Sequence, residues 1–439
     1  MGSLKPIIRG NKNMGCQNKQ WRIETKCVQE GYKPGNGEPR ILPIYQSTTY
    51  KYSSTEQVAK LFDLEEPGHM YSRISNPTVE CLENKLAALE GGVGALCTSS
   101  GQSASMISIL AICQCGDHFV SSATIYGGTF NLFSVTLKKM GIEVTFVDPD
   151  APCEEIQKAF KPNTKALFGE TIANPKMSVL DIEKFARIAH SNGVPLIIDN
   201  TFATPVLCRP FEFGGDIVIH STTKYIDGHA TSVGGAIIDS GRFDWKNGKF
   251  PGFTEPDQSY HGIVYARDCG ELAYITKARV QYIRDIGNYL SPMNAFLTNL
   301  GIETLHLRMQ RHSENAYKIA EFLSANSKIE SVSYPGLPND KYYPLARKYL
   351  PKGCSGVVSF KIKGGREAAI RFMDRLKLAS IVVHVADART AVLHPASSTH
   401  RQLSDEQLEK AGIDPALIRL SVGIENVDDI IEDIAQALE

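Results

Sequence analysis

Two residues with acid–base chemistry stand at the ends of short apolar runs. Pro195 to Ile198 is followed at once by Asp199, and Ile217 to Ile219 is followed by Ser221, Thr223 and Lys224. An apolar run this short, with turn residues after it, suits a buried parallel strand. In open α/β sheets the ligand crevice lies outside the carboxyl ends of the strands. Asp199 and Lys224 are therefore expected to meet in one crevice, with two hydroxyls beside the lysine. Taken alone, the two runs are explained equally well by a solvated lysine and an aspartate in a strand-end turn.

An acid, a lysine and hydroxyls together meet the needs of pyridoxal phosphate. Its aldehyde condenses with a lysine amine, and its ring nitrogen stays protonated against a carboxylate. Its phosphate takes donors such as Ser, Thr and backbone N–H groups. A second stretch supplies such donors. Ala95 to Cys97 reads as a strand that runs through Ser99-Ser-Gly-Gln-Ser-Ala104 into an apolar helix from Met106 to Ile112. A glycine turn entering a helix presents free N–H groups at the positive end of the dipole. No G-x-G-x-x-G occurs here, so this is not the dinucleotide fingerprint. Tyr126 follows the strand His118 to Ser122 and sits at a strand-end loop, where it either stacks on a flat ring or packs in the core. Tyr71 and Arg73 precede a helix whose signals are clear: Asn76 as cap, Pro77 in the first position and Gly91 just past the end. Val79, Leu82, Leu86 and Leu89 share one of its faces.

The elements that must position these residues alternate. Strands are expected at Glu143 to Val147, Ala166 to Thr171, Val194 to Ile198, Ile217 to Ile219 and Gly234 to Ile238, with helical segments such as Val179 to Ser191 between them. Such alternation predicts a mostly parallel sheet covered on both faces. Phe243 to Gly262 breaks the pattern as a long loop rich in aromatics, Pro and Gly. A loop this long is usually functional or disordered, and its aromatics argue against disorder. A long helix from about Glu271 to Asn288 follows, and the rest reads as an α+β domain. It has strands at Gly356 to Lys363, Ser380 to Val385 and Leu417 to Ile424, and a last helix from Val427. The expected organisation is an irregular arm over residues 1–70, an α/β domain over 71–290 and a C-terminal α+β domain over 291–439.

Composition narrows the field. The 439 residues are 42% hydrophobic and 22% charged with a formal net charge of −1, which suits a soluble globular protein. Near-zero charge gives no reason to expect nucleic acid or an anionic membrane surface. No apolar run approaches a membrane span. Met1 to Asn18 is polar and lacks a signal core. Ten cysteines are scattered, with only Cys113-Gln-Cys115 close together. Reduced cytosolic thiols are expected, with neither a disulfide framework nor a metal site.

In chain order, Tyr71-Ser-Arg-Ile-Ser-Asn-Pro-Thr78, Ser99-Ser-Gly-Gln102, Glu170-Thr-Ile-Ala-Asn-Pro175, Asp199-Asn-Thr-Phe-Ala-Thr-Pro205, His220-Ser-Thr-Thr-Lys-Tyr-Ile-Asp-Gly-His229, His394-Pro-Ala-Ser397 and Ile418-Arg-Leu-Ser-Val-Gly-Ile-Glu425 resemble the Cys/Met-metabolism family of pyridoxal-phosphate enzymes. The resemblance implies the fold type I architecture of PLP-dependent transferases, with pyridoxal 5'-phosphate as cofactor. It implies that Lys224 is the Schiff-base lysine, Asp199 the partner of the pyridine nitrogen and Tyr126 the ring-stacking tyrosine. Gly101, Gln102, Ser221 and Thr223 would hold the phosphate, and Asn174 would sit near the ring oxygen. Arg419 would clamp the substrate carboxylate with its guanidinium fork. Tyr71 and Arg73 would reach the phosphate of a neighbouring subunit, in a cytoplasmic homotetramer built as a dimer of dimers.

Within the family, Gly248 to Gly262 and the overall length resemble the O-acetylhomoserine sulfhydrylase branch. Methionine γ-lyases carry a cysteine where this chain has Gly128. The implied reaction is γ-replacement on O-acetyl-L-homoserine with sulfide or a thiol such as methanethiol, giving homocysteine or methionine, with α,γ-elimination of the methionine γ-lyase or cystathionine γ-lyase type as the alternative. One departure stands out: where many relatives have a small polar residue ahead of His394, this chain has His384-Val-Ala-Asp387.

Overall fold

A computed structural model describes residues 21–397, 414 and 416–439. The polar stretch Met1 to Asn18 and the first twenty residues of the expected arm lie outside it. Seven strands form the first sheet: β1 Gly94–Thr98, β2 His118–Ser122, β3 Glu143–Val147, β4 Thr164–Glu170, β5 Leu196–Asp199, β6 Ile217–His220 and β7 Gly235–Asp239. Their order is β1-β7-β6-β5-β4-β2-β3. All pairs are parallel except those of β7, which runs antiparallel to β1 and β6. The expected mostly parallel sheet is thus present.

Both faces are covered. Leu196, Ile198 and Val218 join one apolar cluster, while Ile197, Ile217 and Ile219 join another on the opposite side. This is the alternation a doubly covered strand requires. Register matters more than the apolar faces for function. Glu170 pairs with Asp199, and Asp199 with Ile219. The carboxyl ends of β4, β5 and β6 therefore lie side by side and level.

The helix Pro77–Glu90 forms as its signals predict. Asn76 accepts the Thr78 N–H, and Gly91 ends the helix at φ +82, where a side chain would be strained. Asn76 is fully buried and also donates to Tyr45 O, Tyr50 Oη and Ser72 Oγ. One cap thereby ties the preceding chain, including Tyr71 and Arg73, to the body.

A second sheet of five strands contains β8 Ile329–Ser333, β9 Val357–Ile362, β10 Ser380–Ile381, β11 Ala391–Leu393 and β12 Leu417–Ser421, in the order β10-β11-β12-β9-β8. The helices Pro292–Glu303 and Leu305–Ala325 precede it, and Val427–Leu438 closes the chain. Ser380 to Val385 was expected to be one strand. The paired strand is Ser380–Ile381, with one further bond from the Val382 N–H to the Val392 carbonyl at 3.3 Å; the chain then turns away, and Ala386 adopts a left-handed φ of +70. The expected long helix is helical from Gly270 to Ile286 but passes through a π-helical turn at Ala278–Ile283. The aromatic loop makes core. Trp245 stacks on Phe253 at 4.3 Å and on Tyr274 at 5.5 Å. Its rings bury themselves against the sheet instead of reaching the crevice.

Candidate active site

Asp199 ends β5 and Lys224 lies four residues past β6, so both emerge at the same sheet edge. They line one cavity of about 210 Å³ together with Gly101, Gln102, Tyr126, Asn174, Ser221, Thr223 and Arg419. Nine of the eleven residues singled out from sequence thus share one space. Tyr71 and Arg73 do not. They lie apart, with the Arg73 guanidinium 5.4 Å from the Tyr71 ring and Tyr71 nearly half exposed. A larger hollow of about 790 Å³ near Tyr317 and Tyr334 holds none of the eleven. Chemistry, not volume, singles out the smaller cavity.

Lys224 is held from behind. Its neighbour Tyr225 is fully buried, and the Tyr225 hydroxyl accepts the Gly356 N–H at 3.0 Å while its carbonyl accepts Arg308 Nη1 at 2.7 Å. The Lys224 amine has no carboxylate partner among the described residues; its one polar neighbour is His384 Nδ1 at 3.5 Å. Burial first, and then the Arg419 charge, lower its pKa to about 8. An amine so placed sheds its proton near neutrality and is a far better nucleophile or base than an exposed lysine.

Asp199 accepts the Thr201 N–H at 3.0 Å and the Thr201 hydroxyl as well. Thr201 Oγ1 in turn accepts the Ser221 N–H at 2.8 Å, which links the ends of β5 and β6. Beneath them Glu90 takes both His220 Nε2 at 2.6 Å and Asn200 Nδ2 at 2.9 Å, all three fully enclosed. Glu170 stands beside Asp199 on the next strand. Burial raises the pKa of both, and the charge of Asp199 pushes Glu170 well above the usual carboxylate range. Two carboxyls at paired positions of neighbouring strands disfavour each other's charge. The stronger upward push falls on Glu170, which favours the proton there and the charge on Asp199. Glu170 Oε1 also accepts the Tyr126 N–H at 2.6 Å. Glu170, Thr201, Asn200 and His220 were not singled out from sequence as site residues. The available signal was position: each lies within a quoted motif, at or next to a strand end.

Tyr126 is half exposed and lines the cavity, so it is not a core tyrosine. Gly128 explains how it fits. A Cβ at Gly128 would come within 2.5 Å of the Tyr126 ring, so a side chain there would force the ring to shift. Gly101 is similarly constrained: a Cβ would lie 2.6 Å from that of Ser221. Gly101 opens the helix Gly101–Leu110, whose first N–H groups have no carbonyl behind them. Thr223 Oγ1 bridges the Gly234 N–H and carbonyl, both at 3.1 Å. It must release that carbonyl before it can donate to a ligand.

Arg419 projects from the middle of β12 and is only 7% exposed. It pairs with no carboxylate among the described residues. Its contacts are Asn174 Oδ1 at 3.4 Å and the His384 carbonyl at 3.3 Å, and its Nε is unpartnered. Burial lowers its pKa to about 10. A buried guanidinium without a counter-charge is costly unless an anion completes it. The site thus offers a primed amine, an enclosed anion across the cavity from it, a glycine cradle at a helix start and an unpaired guanidinium. That donor set fits pyridoxal phosphate carrying an amino acid.

Comparisons with known proteins agree. The Cys/Met metabolism PLP-dependent enzyme family matches residues 24–439. The O-acetyl-L-homoserine sulfhydrylase of Leptospira meyeri is 48% identical over 96% of this chain and 97% of its own. The homocysteine synthase of Schizosaccharomyces pombe is 46% identical over 95% of this chain and 98% of its own. The crystal structure of the metY protein of Campylobacter jejuni, which contains N'-pyridoxyl-lysine-5'-monophosphate, superposes with a TM-score of 0.91 at 39% identity, covering 95% of this chain and all of that one. A primed lysine facing an enclosed carboxylate at a sheet edge, and kinship along nearly the whole chain, lead to one conclusion: this protein belongs to the Cys/Met metabolism family of PLP-dependent enzymes.

Proposed function

We propose that the protein replaces the acetoxy group on Cγ of O-acetyl-L-homoserine with sulfide, or a thiol such as methanethiol, to give homocysteine or methionine and acetate. The observation that carries this reading is near-full-length kinship to proteins named O-acetyl-L-homoserine sulfhydrylase and homocysteine synthase. Bound pyridoxal phosphate supplies an aldehyde that takes up the substrate amine and a protonated ring that accepts the electron pair of a broken C–H bond.

The chain's own residues do the rest. Lys224, as a free amine, would remove and return protons on carbon. Asp199, the carboxyl of the pair whose charge is favoured, would hold the ring nitrogen protonated. Tyr126 would stack on the ring, and Gly101, Gln102, Ser221 and Thr223 would hold the phosphate. Arg419 would bind the substrate carboxylate, and Asn174, which accepts from Arg419, would sit near the ring oxygen. Tyr71, exposed, and Arg73, partly buried, line no part of their own cavity; both would serve a neighbouring copy, in a homo-oligomer that is a dimer or a dimer of such dimers. Boundaries near residues 70 and 290 divide arm, cofactor domain and C-terminal domain. No helix among the described residues is long and apolar enough to cross a membrane, and the buried free thiols suit a reducing cytoplasm.

The test is to supply O-acetylhomoserine with and without sulfide and follow homocysteine, acetate, 2-oxobutyrate and ammonia. Sulfide-dependent homocysteine is expected. Release of oxobutyrate from methionine at the faster rate, without homocysteine synthesis, would replace this reading with γ-elimination.

A further inference from the structure

A reaction with its leaving group on Cγ takes one proton from Cα and another from Cβ. Lys224 is the only amine lining the cavity among the described residues. After accepting the first proton it is an ammonium and must discharge before it can act again. His384 Nδ1 lies 3.5 Å from its Nζ, within reach of a direct or water-bridged transfer. On the far side of the ring, Nε2 has no hydrogen-bond partner and faces Asp387 Oδ2 at 3.8 Å.

We propose that His384, steadied by Asp387, is a proton relay for Lys224. This rests on the γ-replacement reading above. The proton taken from Cα passes from the Lys224 ammonium to Nδ1, making an imidazolium whose Nε2–H points at Asp387. Lys224, again a free amine, then takes the Cβ proton. The electron pairs of both C–H bonds stay with the substrate and its cofactor, and acetate leaves with the Cγ–O pair. The protons return by the same route when the new C–S bond has formed.

Charges of both signs surround His384, with two carboxylates set to steady the proton it takes up. Burial and the charges of Lys224 and Arg419 lower the pKa of His384, against Asp387 and Asp227, which raise it. Asp387 is itself fixed, since its Oδ1 accepts the Arg389 N–H at 2.7 Å. The ring is held by a constrained turn. Ala386 sits at φ +70, its N–H donates to Ser421 Oγ at 2.7 Å, and the His384 carbonyl takes Arg419 Nη2. Val383 and Val385, on either side of His384, both line the cavity.

Two variants separate relay from support. His384→Asn keeps an acceptor near the Nδ1 position but does not titrate, and His384→Leu removes both functions. In D₂O, the loaded wild-type enzyme should wash deuterium into Cα of unreacted O-acetylhomoserine. Both variants should slow that washout by about a hundredfold, the low end of general-base contributions, with KM little changed and the acid limb of the kcat profile lost. Full rescue by Asn would make His384 a support only and overturn the relay. Cofactor-free protein provides an independent readout: by histidine NMR, the His384 pKa should rise in Lys224→Ala, because the lysine charge that lowers it is gone. An unmoved pKa would break the proposed contact. If wild-type protein makes no homocysteine while that NMR shift is seen, the substrate reading fails and the Lys224–His384 coupling stands.

Discussion

Glu170 offers the sharpest test of how the site manages charge. Glu170→Ala removes the acceptor of the Tyr126 N–H. An orphaned amide of this kind costs about 1–3 kcal/mol, and the space left by the side chain adds to that loss. Tyr126 also loses the anchor that fixes its ring over the cavity, so affinity for pyridoxal phosphate should fall about tenfold or more, an equivalent of about 1.4 kcal/mol. Glu170→Gln should behave differently. If Glu170 carries the shared proton, Gln matches both its shape and its neutral charge, and it keeps an acceptor for Tyr126. Its cofactor affinity should stay within a few-fold of wild type. The pH dependence has a definite sign. A carboxyl whose folded pKa is raised loses stability as pH climbs from its unfolded value, near 4.5, toward the folded one. Glu170→Gln should therefore gain on wild type as pH rises from 5 to 8, read by urea denaturation of the cofactor-free protein. If Gln is as damaging as Ala, and the gap between wild type and Gln does not move with pH, then Glu170 is ionised and the one-proton account of the carboxyl pair is wrong.

Other perturbations read other parts of the structure. Arg419→Lys exchanges a fork for a point charge, so KM for the amino-acid substrate should rise about ten- to a hundredfold, the worth of a charge-assisted pair, with kcat changed less; an unchanged KM would remove Arg419 from substrate binding. His312 is fully buried, donates Nδ1–H to the Val422 carbonyl at 2.7 Å, and is held by burial at a pKa of about 4. A histidine with a depressed folded pKa gives stability that is present above pH 6.5 and lost as pH falls toward 4. Up to roughly 3 kcal/mol should disappear over that window, and His312→Gln should flatten the acid limb of a stability–pH curve. Gly128→Ala should weaken cofactor binding by displacing the Tyr126 ring, visible as a lower affinity with unchanged secondary structure.

Much of this was legible in the sequence because local signals and tertiary demands agree. The runs ending in Asp199 and before Ser221 are short and apolar enough to suit enclosed strands, and register then places their ends together. The helix after Asn76 carries its own start and stop signals. Glu170 was harder to assign, since its importance lies in facing Asp199 across two strands separated in sequence by a helix. The aromatic loop misled because Trp245 and Phe253 look functional until their stacking on Tyr274 is seen. The stretch from Ser380 to Val385 reads as a strand by pattern, yet the left-handed Ala386 and the pull of Ser421 and Arg419 turn it toward the cavity. Local periodicity cannot register contacts of that kind.

The central claim is that the Lys224 amine, opposite Asp199, is the group that bonds the cofactor aldehyde. Borohydride reduction of the cofactor-loaded protein, followed by proteolysis and mass spectrometry, tests it most directly. The account predicts pyridoxyl phosphate on the peptide containing Lys224 and on no other lysine. A label on a different lysine, or none on a protein that still turns over, would contradict it.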